Sequence, residues 1–164
     1  MPPPLVDFVN SQFKRYAKEF ILNPIQMRSF TNKCSLDWKK VEFNQANKSL
    51  IPQCRGVYAF VFEHNHSNFP PHGYIMYIGE TGQDSNHNLQ KRYGDYLRDK
   101  QREKRAKLHY MLNNWEQCLY FHYASVKDKK INLKKLEQNL NDAFIPPFST
   151  NDFSATIRKG KRAF

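Results

Sequence analysis

The chain has 164 residues, 40% hydrophobic and 15% aromatic, and carries a formal net charge of +11. Length and apolar content fit one folded domain and exclude global disorder. The charge favours a polyanionic partner, with nucleic acid as the first candidate and an anionic membrane surface as the second. No apolar run approaches the roughly 20 residues of a membrane span, and the N-terminus lacks a signal-peptide pattern, so we expect a soluble, cytoplasmic protein.

Residues 1–53 are predicted to form a helical and loop extension packed on the core. Apolar residues recur in helical steps between positions 4 and 21: Leu5, Phe8, Val9, Phe13, Tyr16 and Phe20. The helix would either pack on the core or act as a DNA-contacting or dimerising arm. Residues 22–53 are polar and contain Pro24 and Pro52, which indicates loops with room for one short helix.

The remaining chain, residues 54–164, is predicted to be the main domain. Aromatic and β-branched runs predict three strands, at about residues 57–62, 74–79 and 118–126. Apolar spacing predicts helices at 89–99, 102–115 and 134–145, followed by a basic tail. This order indicates an α+β fold, a small three-stranded sheet, antiparallel or mixed, flanked by helices.

Two short motifs stand on the first two strands: Gly56-Val57-Tyr58 and Tyr77-Ile78-Gly79. Farther on come Arg92 and Glu137 on predicted helices and Asn151 after a proline pair. In this order and spacing the residues resemble the GIY-YIG nuclease family over roughly residues 54–155. The resemblance implies that these scattered positions form one phosphodiester-cutting site on a GIY-YIG nuclease fold.

The resemblance assigns a task to each residue. Tyr58 would be the general base or its relay to the attacking water, and Tyr77 would hold the water or the scissile phosphate. Since a free tyrosine has a pKa of about 10, Tyr58 needs a nearby cation or metal. Arg92 would stabilise the developing charge on the phosphate. Glu137 would be the single ligand of one Mg²⁺ or Mn²⁺ ion.

Other positions would support the site. Gly56 and Gly79 would allow close approach of backbone and substrate, and Asn151 matches the family's asparagine beyond the last core helix. Many members carry a histidine one turn after the arginine. Here that position is Tyr96, and either Tyr96 or His109 on the next helix would substitute for it.

Basic residues are dense around the predicted arginine helix. These residues would form either a solvated face or contacts to the DNA backbone. Backbone contacts give affinity without sequence information. The candidate DNA-binding residues are Lys91, Arg98, Lys100, Arg102, Lys104, Arg105, Lys107, Arg158 and Lys159.

The resulting hypothesis is a metal-dependent endonuclease that hydrolyses DNA, most readily double-stranded DNA. By family analogy it would serve restriction or a mobile element, with repair and recombination as other family roles. A double-strand cut with one site per chain would need a homodimer. The competing hypothesis is a nucleic-acid binding module of the same fold that is catalytically silent or directed to RNA.

Overall fold

The computed structural model describes residues 4–31, 34–64 and 68–162. Short helices dominate the N-terminal segment, and longer ones follow the central hairpin. The elements in chain order are α1 (Leu5–Phe8), α2 (Pro24–Ser29), β1 (Lys39–Glu42), β2 (Gly56–Glu63), β3 (Gly73–Thr81), α3 (Leu89–Gln101), α4 (Ala106–Asn114), β4 (Leu119–Ser125), α5 (Leu133–Phe144) and α6 (Ala155–Lys161).

The sheet has four strands, not the three predicted, in the order β1-β4-β2-β3. Every neighbouring pair is antiparallel. The additional strand, β1, pairs with β4 from Lys39 opposite Tyr123 to Glu42 opposite Tyr120. The sequence Lys-Lys-Val-Glu lacks an apolar alternation, because β1 is an edge strand on which only Val41 is even partly buried. The α+β prediction is confirmed.

Two apolar layers cover the two faces of the sheet. On the first face Tyr58 and Phe60 of β2 join Phe121 of β4 and the buried side of α3 and α4. On the second face Val57, Ala59 and Val61 join the apolar stripe of α5. Phe43 and Ile51, which lie within the predicted extension, are also buried in the first layer. Residues 39–51 therefore contribute a strand and core side chains to the same packed unit.

Helices α3 and α5 begin at side-chain caps. The side-chain oxygen of Asn88 accepts from the Lys91 amide at 2.8 Å, and that of Asn132 accepts from the Lys135 amide at 3.0 Å. Such caps satisfy amides that have no partner within the helix. Helix α5 ends at Ile145, whose φ of 45° is left-handed, and Pro146 follows. These starts and stops fix where Arg92 and Glu137 stand relative to the sheet.

The N-terminal helix is shorter than predicted. Helix α1 and a π-helical segment at Val9–Lys14 contain no buried residue. The segment reaches the domain through Tyr16, whose ring centroid is 6.1 Å from that of Trp115, and through Phe20, at 4.8 Å from Tyr74. Leu5 is 75% exposed, so the apolar spacing there does not reflect core packing. No helix among the described residues is long and apolar enough to cross a membrane.

Strand β3 is the edge of the sheet opposite β1, and later parts of the chain cover that edge. Register shifts between Phe60 and Val61, which leaves Met76 as a bulge on β3. The Met76 carbonyl accepts from the Phe148 amide at 3.0 Å, and the Ile78 amide donates to the Ser149 hydroxyl at 3.4 Å. The Glu80 amide donates to the Glu137 carboxylate at 3.2 Å. The edge is thereby hydrogen-bonded to α5 and the loop that follows it.

Candidate functional site

Three tyrosines meet beside the β2–β3 hairpin. The hydroxyl oxygens of Tyr58 and Tyr96 are 2.8 Å apart, and either can be the donor. The Tyr77 ring centroid is 6.4 Å from that of Tyr58 and 6.1 Å from that of Tyr96. Tyr58 and Tyr96 are buried, whereas Tyr77 is partly exposed. Tyr77 is therefore the least buried residue of the three.

The two motif glycines leave room that a side chain would fill. A β-carbon at Gly79 would lie 2.5 Å from the Cζ atom of Tyr58 and closer still to its hydroxyl oxygen. A β-carbon at Gly56 would lie 3.1 Å from the Ala124 carbonyl carbon and closer still to its oxygen. The absence of a side chain at Gly79 thus leaves the space that the Tyr58 phenol occupies. The absence of one at Gly56 permits the close pairing of β2 with β4.

Burial governs the protonation of the phenols. It raises the pKa of Tyr58 well above the ordinary value, and Tyr77 raises it further, against an opposing effect of Arg92. Burial likewise raises the pKa of Tyr77 and of Tyr96 well above 10. At neutral pH these side chains are protonated, so each hydroxyl has a proton to donate.

Arg92, on the first turns of α3, places a positive charge near the three tyrosines. Although burial lowers its pKa, the surrounding phenols and Asp95 offset this and leave the pKa raised, so the guanidinium stays charged. Its Nη1 atom lies 3.8 Å from the Asp95 carboxylate. Its Nε atom is buried and has no hydrogen-bond partner among the described residues. A buried donor without a partner is costly, and it is the feature expected where an anionic ligand binds.

Glu137 lies on α5 across from this group. Burial is the largest of the effects that raise the pKa of its carboxyl to about 8. The neighbouring Asp152 and Glu80 also raise it, and the Glu80 amide and Arg92 oppose the shift. Glu137 also acts electrostatically on Tyr58 and Tyr77. The geometry therefore brings the predicted residues Tyr58, Tyr77, Arg92 and Glu137 into one neighbourhood.

The carboxyl groups of Glu80 and Asp152 were not predicted as site residues. Glu80 directly follows Tyr-Ile-Gly, and Asp152 directly follows Asn151, so adjacency to a motif was the only signal in the sequence. Burial raises the pKa of both carboxyls. Together with Glu137 they concentrate negative charge that a cation would stabilise.

The residues present fit a divalent ion that is largely hydrated. Among the described residues no three His, Cys, Asp or Glu side chains come together as a complete ligand set. Glu137, which lines the cleft with Asn151 and Asp152, is the group that would hold the ion. One carboxylate with water and phosphate oxygens suits Mg²⁺, which keeps much of its hydration when protein-bound.

Asn151 shares a cleft with Glu137, whereas His109 lies elsewhere. Glu137, Asn151, Asp152 and Arg158 line a cleft of about 370 Å³. Nδ1 of His109 is 3.2 Å from the Asp99 carbonyl, at the junction of α3 and α4. Of the two predicted substitutes for the family's histidine, it is Tyr96 that contacts Tyr58.

The predicted basic residues divide into paired and unpaired ones. Arg98 pairs with Asp95, Lys100 with Glu116, and Arg105 with Asp99. No ion pair within the described ranges involves the other predicted residues, which are exposed: Lys91, Arg102, Lys104, Lys107, Arg158 and Lys159.

The two basic regions lie near each other in space. Burial lowers the pKa of Lys161 on α6, and Lys107 on α4 lowers it further. Lys107 and Lys161 are therefore near each other, and Arg158 of α6 lines the cleft beside Glu137.

A larger cavity, of about 490 Å³, lies on the second face of the sheet. It is lined mainly by apolar side chains, among them Trp38, Ile75 and Phe144, with His122 as its one titratable ring. None of the tyrosines, Arg92 or Glu137 lines it. This cavity is therefore separate from the tyrosine group and from the cleft beside Glu137.

Comparison with protein-family models, with curated proteins and with solved structures gives no match.

Proposed function

We propose that this protein is a metal-dependent endonuclease of the GIY-YIG type that hydrolyses DNA. The observation that carries the proposal is the mutual electrostatic proximity of Tyr58, Tyr77, Arg92 and Glu137, with Tyr96 hydrogen-bonded to Tyr58. These are the positions at which the sequence resembles that family, including the glycine that accommodates Tyr58.

The geometry suggests separate tasks for the three phenols. Tyr58 and Tyr96 are buried and hydrogen-bonded to each other, so they would orient the site. Tyr77 is partly exposed and would donate a hydrogen bond to the attacking water or to a phosphate oxygen. Because the pKa values of all three are raised, proton removal from water falls to a group outside this triad or requires added positive charge.

Arg92 would bind the scissile phosphate. Its guanidinium is permanently charged and matches the planar arrangement of two phosphate oxygens. The buried Nε atom without a partner would be satisfied by such an anion. Fixed positive charge at the place where negative charge develops is a large contribution to catalysis in enzymes.

Glu137 would hold Mg²⁺ or Mn²⁺, with its carboxylate oriented by the Glu80 amide. A bound divalent ion would supply a Lewis acid and lower the pKa of a coordinated water. Asp152 and Glu80 add negative charge around that position, and Asn151 would contact the substrate or its waters across the cleft.

The proposed substrate is duplex DNA. Arg158 of α6 lines the cleft, and Lys107 of α4 lies near Lys161 of α6. Phosphate contacts by the exposed lysines and arginines of these two helices would supply affinity without sequence preference. A double-strand break would require two copies of the chain, because each copy presents one such site. Restriction or mobile-element biology is the proposed context.

A plasmid assay tests the proposal. Supercoiled plasmid with purified protein and Mg²⁺ or Mn²⁺ should become nicked or linear, and chelation with EDTA should prevent this. Glu137→Gln and Arg92→Ala should abolish cutting. Glu19→Gln, which removes an exposed carboxylate of the N-terminal segment, should cut like the wild type. Equal cutting by Glu137→Gln and the wild type would refute the assigned site.

A second candidate is a nucleic-acid binding module without cleavage activity, or one directed to RNA. The observation in its favour is the raised pKa of all three phenols, which leaves no phenolate near neutral pH. Parallel binding and cleavage assays with duplex DNA, single strands and structured RNA separate the candidates. Binding without metal-dependent cutting of any of them would favour the module.

A further inference from the structure

A second arginine reaches the tyrosine group from the turn between α3 and α4. The Cζ atom of Arg105 lies 5.0 Å from the centroid of the Tyr96 ring. Tyr96 is completely buried and hydrogen-bonds Tyr58, while the Arg105 side chain is 39% exposed. Arg105 thus forms a solvent-accessible wall of the group, and Arg92 is the other cation that acts on Tyr96.

Each of these arginines is paired with an aspartate of α3. Arg92 lies 3.8 Å from the Asp95 carboxylate, and Arg105 hydrogen-bonds the Asp99 carboxylate. Asp95 and Asp99 are four residues apart and therefore share one side of the helix. The two cations beside the phenols are held by two neighbouring carboxylates.

A carboxylate and a phosphate present similar pairs of oxygens to a guanidinium. The planar fork of arginine binds either of them with two parallel hydrogen bonds. Contact with the Tyr96 ring holds the Arg105 guanidinium in place, so this group can exchange one oxyanion for another with little further loss of side-chain freedom.

We propose that Arg105 is a second phosphate-binding residue of the site, held by Asp99 until a nucleic-acid strand displaces that carboxylate. This inference rests on the proposed function. Arg92 takes the scissile phosphate, and Arg105 takes a neighbouring phosphate of the same strand. Asp99 is a positioning residue: in the free protein its carboxylate binds Arg105 where the phosphate would bind.

The two partners of this ion pair should have opposite effects on binding. Loss of the Arg105 charge weakens binding of nucleic acid, whereas loss of the Asp99 charge strengthens it because the competing carboxylate is gone. If the pair were only structural, both changes would act in the same direction.

The test uses Arg105→Gln, Arg105→Lys and Asp99→Asn, with Arg28→Gln as the control. Arg28 is exposed on α2, which packs on α5, the helix that covers the second face of the sheet. Its loss therefore removes the same charge on the face opposite the phenols. Gln at position 105 keeps part of the aliphatic stem and a donor for Asp99, and it removes the charge over Tyr96. Melting temperatures check that each variant is folded.

Binding of a labelled 20-base-pair duplex is measured by fluorescence anisotropy in EDTA, and cleavage kinetics in Mg²⁺. Arg105→Gln should weaken binding on the order of tenfold, the value for one charged hydrogen-bonding interaction, and should raise KM more than it lowers kcat. Arg105→Lys should recover part of the loss. Asp99→Asn should bind more tightly than the wild type, and Arg28→Gln should change binding little.

Two results would overturn the inference while leaving the nuclease proposal intact. One is a wild type that cuts DNA while Arg105→Gln binds like Arg28→Gln. The other is weaker binding by a folded Asp99→Asn. A wild type that neither binds nor cuts any nucleic acid would remove the proposed function and this inference together.

Discussion

Tyr58 and Gly79 are directly opposite each other on β2 and β3, and the Tyr58 phenol lies over the position where a side chain of residue 79 would be. The pairing explains in physical terms why a tyrosine and a glycine occur together across this hairpin. The Tyr58 phenol can occupy this position only because residue 79 has no side chain.

Gly79→Ala should therefore destabilise the protein and damage the site. The added methyl group would push the phenol away from Tyr96, at a cost of roughly 1–3 kcal/mol for an overpacked core position. Gly160→Ala is the matched control, since nothing lies within 4 Å of a β-carbon there. It should be neutral or stabilising by less than about 1 kcal/mol. Urea denaturation measures both, and equal stabilities would show that the Tyr58 phenol is free to move.

The Tyr58–Tyr96 hydroxyl pair should give a coupled effect on stability. Tyr58→Phe or Tyr96→Phe leaves one buried hydroxyl without this partner, which costs about 1–3 kcal/mol. The double variant removes both groups and should cost less than the sum of the single changes. A double-mutant cycle in urea measures the coupling, with Tyr16→Phe, at an exposed ring, as the control. Strict additivity would contradict a hydrogen bond between the two phenols.

Glu137 should make stability depend on pH. Its folded-state pKa of about 8 lies above the ordinary value of 4.5, so the folded state binds the proton more tightly than the unfolded state. Stability is then lost as pH rises from about 5 to above 8. Glu137→Gln should lack this loss and gain about 1–3 kcal/mol over the wild type at about pH 8, since the carboxyl is partly exposed.

Thermal melts of both proteins across this pH range measure the difference. Mg²⁺ should raise the melting temperature of the wild type at about pH 8 more than that of Glu137→Gln. Glu19→Gln is the control for the loss of one carboxylate. Parallel pH profiles for the wild type and Glu137→Gln would show that the carboxyl titrates normally.

Binding of duplex DNA should depend strongly on salt through the exposed lysines of α4 and the turn before it. Removing Lys104 or Lys107 should reduce the slope of log K against log salt by about 0.9 for each phosphate that the variant no longer binds. Lys39→Ala is the control, because Lys39 lies on β1 at the far edge of the sheet. Anisotropy titrations at several salt concentrations give the slopes. Equal slopes for Lys104→Ala and Lys39→Ala would exclude Lys104 from the binding surface.

Elements with a buried apolar pattern could be predicted from the sequence, and exposed elements could not. Strands β2, β3 and β4 and helices α3 and α5 have regular buried positions, and each was predicted to within a few residues. Strand β1 and helix α6 contain no buried residue, so no periodic apolar signal marks them. In the N-terminal segment the apolar residues repeat with helical spacing although they are exposed. The pattern there predicts a core-packed helix that the structure does not have.

The candidate site was predictable only where a motif marked a position. Tyr58, Tyr77, Arg92 and Glu137 were predicted through a resemblance, and the structure brings them together. The approach of Glu80 and Asp152 to Glu137, and of Arg105 to Tyr96, depends on how α5 and the end of α3 pack against the hairpin. No local pattern encodes those distances.

The hydrogen bonds that cover the edge of β3 also determine whether this chain can aggregate through its sheet. Open strand edges recruit other chains into continuous sheets. Here Phe148, Ser149 and Glu137 occupy the edge instead. Trimming the chain before Phe148 would leave the Met76 carbonyl and the Ile78 amide at this edge without their partners, and we expect the shortened chain to aggregate through this strand.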